Sequence, residues 1–190
     1  QLKIFKVRNI VITEKKSFLK IKEILKDKKI NVYNDFNSIH KIFKKKKADY
    51  ILNAISGLDG LNPTLKIIRF AKNVAIANKE SIICGWSLIK KELDKFNVKF
   101  IPVDSEHFSI WSLIQDTKNN NIEKVFITAS GGPFNKLPLK KFDKVTIKQA
   151  LKHPNWKMGK KISIDSATLM NKVFEIIEAK KIFDYKYNQL

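Results

Sequence analysis

At 190 residues the chain is long enough for one large or two small domains around a buried core. Hydrophobic residues at 44% and aromatics at 11% argue against intrinsic disorder, and no apolar run approaches the roughly 18 residues of a membrane span. The formal charge of +20 is almost all lysine, with arginine only at Arg8 and Arg69, so the bidentate phosphate and guanine contacts of nucleic-acid binders are not favoured; an anionic small molecule suits the same field. Cys84 stands alone, which excludes an internal disulfide and points to a reducing compartment, the cytoplasm by default. Lys3, Lys6 and Arg8 interrupt the first apolar residues and no small-residue cleavage site follows, against a secretory signal. With no initiator Met, an internal piece of a longer chain is expected.

Along the chain, Asn9–Thr13 is a short β-branched run, and Phe18, Ile21, Ile24 and Leu25 then recur at helical spacing. Asn31–Tyr33 predicts a second strand, and Ser38 a cap for a helix that ends at Lys44–Lys47. Tyr50–Ile55 predicts a third strand. Asn62-Pro63 predicts a cap with Pro at the first helical position. Val74–Ala77, a helix over Ser81–Phe96 and Val98–Val103 complete an alternation that argues a parallel α/β sheet. Beyond Val103 the spacing predicts a helix over Phe108–Gln115, a strand over Val125–Ala129, an irregular stretch over Gly131–Lys144 and a short helix over Thr146–Lys152. His153-Pro154 stops that helix; a loop, a strand over Lys161–Ile164 and a helix over Ala167–Ile182 follow. The alternation thus gives an α/β fold, a doubly wound parallel sheet over residues 1–103 followed by a less regular α+β unit over 104–190.

Several segments could carry chemistry. Gly57 and Gly60 lack the third glycine of a dinucleotide fingerprint and do not open onto a predicted helix, so a tight turn is favoured over a phosphate loop. Asp104 and Glu106 follow a strand end, where open α/β sheets bind ligands; extended alternation would put them roughly 6–7 Å apart on one side. Paired carboxylates there suit Mg²⁺ or Mn²⁺, or else form a solvated, capped corner. His107 is a ligand or, as a lone His, a hydrogen-bonded structural residue. Ser130-Gly131-Gly132 could cradle phosphate or make a simple turn. Asp165 or Ser166 would cap the last helix, whose start attracts an anion, with Asn171, Lys172 and Glu175 on one face. Trp156 and Met158 sit in a loop that is either a lid or a core anchor.

Ala77-Asn78-Lys79-Glu80-Ser81, Pro102–His107, Ser130–Phe134, Ala150–Gly159 and Ile164–Thr168 through Asn171-Lys172 and Glu175 occur in an order and spacing that resemble the 1-deoxy-D-xylulose 5-phosphate reductoisomerase family. The resemblance spans essentially the whole chain. It implies conversion of 1-deoxy-D-xylulose 5-phosphate to 2-C-methyl-D-erythritol 4-phosphate in non-mevalonate isoprenoid biosynthesis, by metal-assisted rearrangement, retro-aldol and re-addition in form, and then hydride delivery from NADPH. It further implies Asp104, Glu106 and Glu175 as ligands of Mn²⁺ or Mg²⁺, with Co²⁺ a further candidate. Ser130, Ser166, Asn171 and Lys172 would hold the phosphate end, and Lys79, Ser105 and His153 the rest of the substrate, with Glu106, Trp156 and Glu175 also in contact. Lys79, Glu106, His153, Lys172 and Glu175 would carry catalysis, while Asn78, Glu80, Met158 and Gly159 would meet NADPH. Residues 1–103 would be a truncated Rossmann-like parallel sheet, part of the NADPH-binding domain, and 104–190 an α+β catalytic domain that binds metal and substrate and is incomplete at its C-terminus. A homodimer is implied for the full-length enzyme, in a bacterial-type cytoplasm and with no membrane partner.

Two features of the family are missing from the sequence. No Gly-rich turn follows the first strand, and no C-terminal helical domain follows Leu190, so the chain is expected to be the inner portion of such an enzyme. Val173-Phe174 stands where the family has Gly-Leu, a change expected to point away from the metal face. Two other classes share some of these features: a metal-dependent sugar-phosphate lyase or aldolase that needs no NADPH, and a basic nucleic-acid-binding module.

Overall fold

The computed structural model describes residues 4–114 and 122–190; the predicted helix end at Gln115 lies outside them. Five short strands form, all paired in parallel, as the alternation of strand and helix predicts. They divide into two sheets. β1 (Asn9–Val11) pairs with β2 (Asn31–Tyr33), and β3 (Ala48–Asn53), β4 (Ala71–Ile76) and β5 (Lys99–Pro102) lie side by side in chain order. The register sets Asn53 opposite Ile76 and Ile76 opposite Pro102, so three strands end together and three loops leave along one edge.

Helices α1 (Lys15–Ile24), α2 (Ile39–Ile42), α3 (Leu61–Ile67) and α4 (Lys79–Phe96) make the crossovers. Each start has a local cause. Glu14 accepts the backbone N–H groups of Lys16 and Ser17, and Asn78 accepts that of Ser81. α4 begins at Lys79, two residues before the predicted Ser81, because Asn78 supplies that cap; it ends at Asn97 in the left-handed region. The predicted cap at Ser38 is not one: Asp35 caps the preceding 3₁₀ turn, and the Ser38 hydroxyl donates to the Asp35 carbonyl at 2.6 Å. Nor does Asn62 cap α3. That helix starts at Leu61 after a 3₁₀ turn over Leu58–Gly60, which leaves Pro63 at its third position. The Gly57–Gly60 turn therefore does open onto a helix, contrary to expectation, with Gly57 at φ 74°.

α5 (Ser105–Ile114) starts directly after Asp104, three residues before the predicted Phe108. The extended alternation expected at Asp104 and Glu106 is thus replaced by a helical turn. The two predicted strands of the second half do not form. Residues 125–129 keep a strand's alternation, with Val125 and Ile127 half-buried and Phe126 exposed, but no strand lies beside them among the described residues; the Val125 N–H bonds the Gln189 carbonyl (2.7 Å) and the Thr128 carbonyl accepts from Lys172. Lys161–Ile164 lies inside helix α7 (Lys160–Ala167), which buries Ser163 and Ala167 at i and i+4. α6 (Ile147–Ala150) has a capping box between Thr146 and Gln149. The last helix, α8 (Met170–Phe183), begins after Leu169 at φ 62° with no side-chain cap, so Asp165 and Ser166 belong to α7 and cap nothing.

Two apolar clusters hold these elements. One gathers Ile68, Val74, Ile76, Ile82, Ile89 and Leu93 between β4, α3 and α4; the other gathers Ile110, Ala179, Phe183 and Tyr185 between α5 and the end of α8. Ile182 packs on both. No helix of the described residues is long and apolar enough to cross a membrane.

Candidate active site

The shared edge of β3, β4 and β5 decides where chemistry can gather. Past Ile76 the chain delivers Asn78, Lys79 and Glu80, and past Pro102 it delivers Asp104 to His107. α8 crosses α4 and α5 there and adds Asn171, Lys172 and Glu175 from one face.

Carboxylate oxygens of Asp104, Glu106 and Glu175 lie within 4.8 Å of one another. The sequence pairing of Asp104 with Glu106 thus stands, by way of the first turn of α5 rather than an extended chain. Two ammonium groups flank the cluster. Lys79 Nζ is 3.2 Å from Asp104 Oδ2 and donates to Asn171 Oδ1 at 2.7 Å. Lys172 Nζ is 3.4 Å from Glu106 Oε1, pairs with Glu175 Oε2 and donates to the Thr128 carbonyl. Asn171 donates to the other Glu175 oxygen, and Ser105 Oγ donates to Glu106 Oε2 at 2.7 Å. Three oxygen anions this close repel strongly without a cation, and hard oxygen donors suit Mg²⁺ or Mn²⁺. The donor set fits such an ion.

The titration behaviour follows from these neighbours. Burial would raise Glu106, but its carboxyl–carboxyl contact with Asp104, hydrogen bonds from Ser105 and its own backbone N–H, and the Lys172 charge hold it at about 2. Burial raises Glu175, aided by the Glu106 and Asp104 charges and opposed by Lys172. Behind them His107 and Glu178 are each about 1% exposed. His107 Nε2 lies 2.9 Å from the Glu175 carbonyl and so carries the proton of that bond, consistent with the structural role weighed for this residue. Burial pushes its imidazole down and the Glu178 carboxyl up to about 8.

A cleft adjoins the carboxylates, lined by Ser130, Gly131, Gly132, Ser166, Asn171 and Lys172. Gly131 and Gly132 have φ of 84° and 63°, and a Cβ on Gly132 would sit 2.8 Å from the Ser166 carbonyl. The Gly-Gly turn is what lets the 130–132 loop approach α7 and bring Ser130 to Ser166. His153 Nδ1 accepts from the Asn155 and Trp156 N–H groups at 3.2 and 3.1 Å, so its Nε2 carries the proton and faces Ser130 Oγ at 3.2 Å. Trp156 is 65% exposed, which sets aside the core-anchor alternative, and Met158 beside it is half-buried.

On the other side of Lys79 a second cleft runs between residues 54–57, 77–80 and 159–162, including Asn78, Glu80 and Gly159. Asn78 spends its side chain internally, donating to the Ile55 and Gly57 carbonyls (2.6 Å to Gly57) and accepting from the Ser81 N–H. Glu80 pairs with Lys161 (3.1 Å), which also pairs with Asp165 (2.8 Å) and so ties α4 to α7. The sequence pattern passed over Lys161 and Glu178. Lys161 had no signal, but Glu178 lies one turn past Glu175 on the face of Asn171, and that periodicity could have singled it out.

Comparison with known proteins agrees with this geometry. The family model for 1-deoxy-D-xylulose 5-phosphate reductoisomerase matches residues 1–85, and that for the C-terminal domain of the same enzyme matches residues 100–183. The 1-deoxy-D-xylulose 5-phosphate reductoisomerase of Pelagibacter ubique is 63% identical over the whole chain, and that of Clostridium tetani 44% identical over 98% of it; the chain spans 49% of each. Among solved structures, the enzyme from Zymomonas mobilis in complex with NADPH superposes with a TM-score of 0.84 at 34% identity, covering 96% of this chain and 46% of that one. A DOX-P reductoisomerase bound to NADPH, fosmidomycin and magnesium gives 0.80 at 34%, covering 95% and 47%. The chain therefore spans about half the length of the curated relatives it matches. With both family models aligned end to end along it and its parallel sheet superposing on solved members, the chain belongs to the 1-deoxy-D-xylulose 5-phosphate reductoisomerase family.

Proposed function

We propose that this chain holds the metal and substrate site, and one wall of the cofactor cleft, of an enzyme that isomerises and reduces 1-deoxy-D-xylulose 5-phosphate to 2-C-methyl-D-erythritol 4-phosphate. The observation that carries this is the convergence of Asp104, Glu106 and Glu175 between Lys79 and Lys172, beside the Ser130–Ser166 cleft. When bound, Mn²⁺ or Mg²⁺, or Co²⁺, supplies Lewis-acid polarisation of the substrate's carbonyl and hydroxyl oxygens, and NADPH supplies hydride. Asp104, Glu106 and Glu175 would hold the ion.

The remaining groups divide by charge and position. Ser130, Ser166, Asn171 and Lys172 offer hydroxyl, amide and ammonium donors to a phosphate in one cleft. Held there, remote from the reacting carbons, the phosphate orients the sugar chain across the carboxylates. Lys79 and Ser105 border the carboxylates and can donate to the substrate's hydroxyl oxygens. His153, with its Nε2 proton turned to Ser130, can donate to substrate there. Trp156 and Met158 supply the apolar side of a loop that excludes water when it closes. The second cleft, with Asn78, Glu80 and Gly159, fits NADPH lying against Lys79.

The division into residues 1–103 and 104–190 is supported by the two apolar clusters, one on each side of Asp104. The homodimer and the cytoplasmic setting rest on the resemblance and, for the setting, on the single cysteine. No observation favours the aldolase or nucleic-acid alternatives. The test is NADPH oxidation by the intact protein with 1-deoxy-D-xylulose 5-phosphate and Mn²⁺. Turnover that requires all three is expected; carbon–carbon cleavage without NADPH would instead establish the aldolase class.

A further inference from the structure

We propose that Glu178 is a positioning residue that acts through the His107 imidazole to fix the turn of α8 bearing Glu175, and with it the spacing of the carboxylates that take the ion. This rests on the metal site argued above. A buried carboxyl without a partner is costly, yet Glu178 is 1% exposed and its Oε2 has no hydrogen bond among the described residues. The group it faces is His107 Nδ1, 4.0 Å away, and ligating atoms of Asp104, His107 and Glu178 all lie within 4.8 Å of one another. His107 Nε2–H is already committed to the Glu175 carbonyl at 2.9 Å, so Nδ1 presents a lone pair. A carboxyl shift of about 1 Å closes the gap to hydrogen-bond range. The resulting chain, Glu178 to His107 to the Glu175 backbone, crosses from α8 to α5 and back within one turn of a metal ligand. A ring held at both nitrogens cannot rotate, and the carbonyl of Glu175 is then set relative to Asp104 and Glu106 at the start of α5.

The test compares the intact parent with Glu178→Met, which keeps the volume, and Glu178→Gln, which keeps a donor for Nδ1. Mn²⁺ affinity is measured by electron paramagnetic resonance, the fold by circular dichroism, and the His107 ring by ¹⁵N NMR of the metal-free protein. Glu178→Met is expected to fold and to bind Mn²⁺ about tenfold or more weakly, with Glu178→Gln within about threefold of the parent. The parent and the Gln variant should show a hydrogen-bonded Nδ1 and the Met variant a free one. A folded Met variant with parental Mn²⁺ affinity overturns the proposal alone. So does a parent whose Nδ1 is free, which decides the matter even if the Met variant fails to fold. Two Mn²⁺ ions per chain, one lost in Glu178→Gln, would overturn it in favour of a second cation site. A parent that binds no Mn²⁺ overturns the metal reading and the positioning role together.

Discussion

At the scale of single residues the site is a balance of four carboxyls and two ammonium groups, and burial raises two of the carboxyls, Glu175 and Glu178. Glu178 has the clearest consequence. Its carboxyl is raised from 4.5 to about 8 in the fold, chiefly by burial, so between those values the unfolded chain releases a proton that the folded chain keeps. The stability this group contributes is fully present below about 4.5 and is lost as pH rises through about 8, with a slope of at most about 1.4 kcal/mol per unit. Urea unfolding of the metal-free protein across that window should show stability falling with pH, and Glu178→Gln should flatten the slope. Glu106 acts with the opposite sign and outside this window: its lowered value of about 2 makes its contribution full above 4.5 and lost as pH falls toward 2. His153 gives a second expectation. His153→Ala removes the Nε2 donor from the Ser130 side without touching a carboxylate, so it should raise the KM for the sugar phosphate severalfold while leaving Mn²⁺ affinity unchanged, as a paired kinetic and metal titration would show.

At the scale of elements, the close approach of the 130–132 loop to α7 depends on Gly132. An added Cβ meets the Ser166 backbone at 2.8 Å and must also adopt φ 63°, so Gly132→Ala should cost about 1–3 kcal/mol and weaken phosphate-analogue binding, as thermal unfolding and calorimetry can measure. Elements also show what was legible in the sequence. Asn31–Tyr33 forms where the sequence placed it, and the other first-half strands form within a few residues, because β-branched and aromatic residues bounded by turn residues favour strands. Residues 125–129 alternate like a strand yet form none, since a strand needs a neighbour as well as a pattern. Ile162 and Ile164 alternate too, but Ser163 and Ala167 are the residues that α7 buries, and small side chains carry little periodic signal. Asp104 and Glu106 were recognisable as a pair from their place after a strand; helical spacing places Glu178 on the face of Glu175, but its partner was not legible, because His107 lies 71 positions earlier in the chain.

The whole molecule brings the ends of one sheet against one face of α8, and so sets Lys79 of the first half beside the carboxylates of the second. Asp104 and Glu106 come from the junction after β5, Lys79 from α4, and Glu175 and Lys172 from α8. The charge of +20 is almost all lysine, and on the proposed function binding of the sugar phosphate should weaken only modestly with salt compared with a protein that neutralises many phosphates. The most direct measurement is Mn²⁺ titration of the intact protein beside Asp104→Asn and Glu175→Gln, with circular dichroism on all three. Tight binding of one Mn²⁺ by the parent, lost in both folded variants, is the expected result, since the ion needs carboxylates from both the start of α5 and α8. A folded parent that binds no Mn²⁺, or variants that bind it as tightly as the parent, would contradict the account.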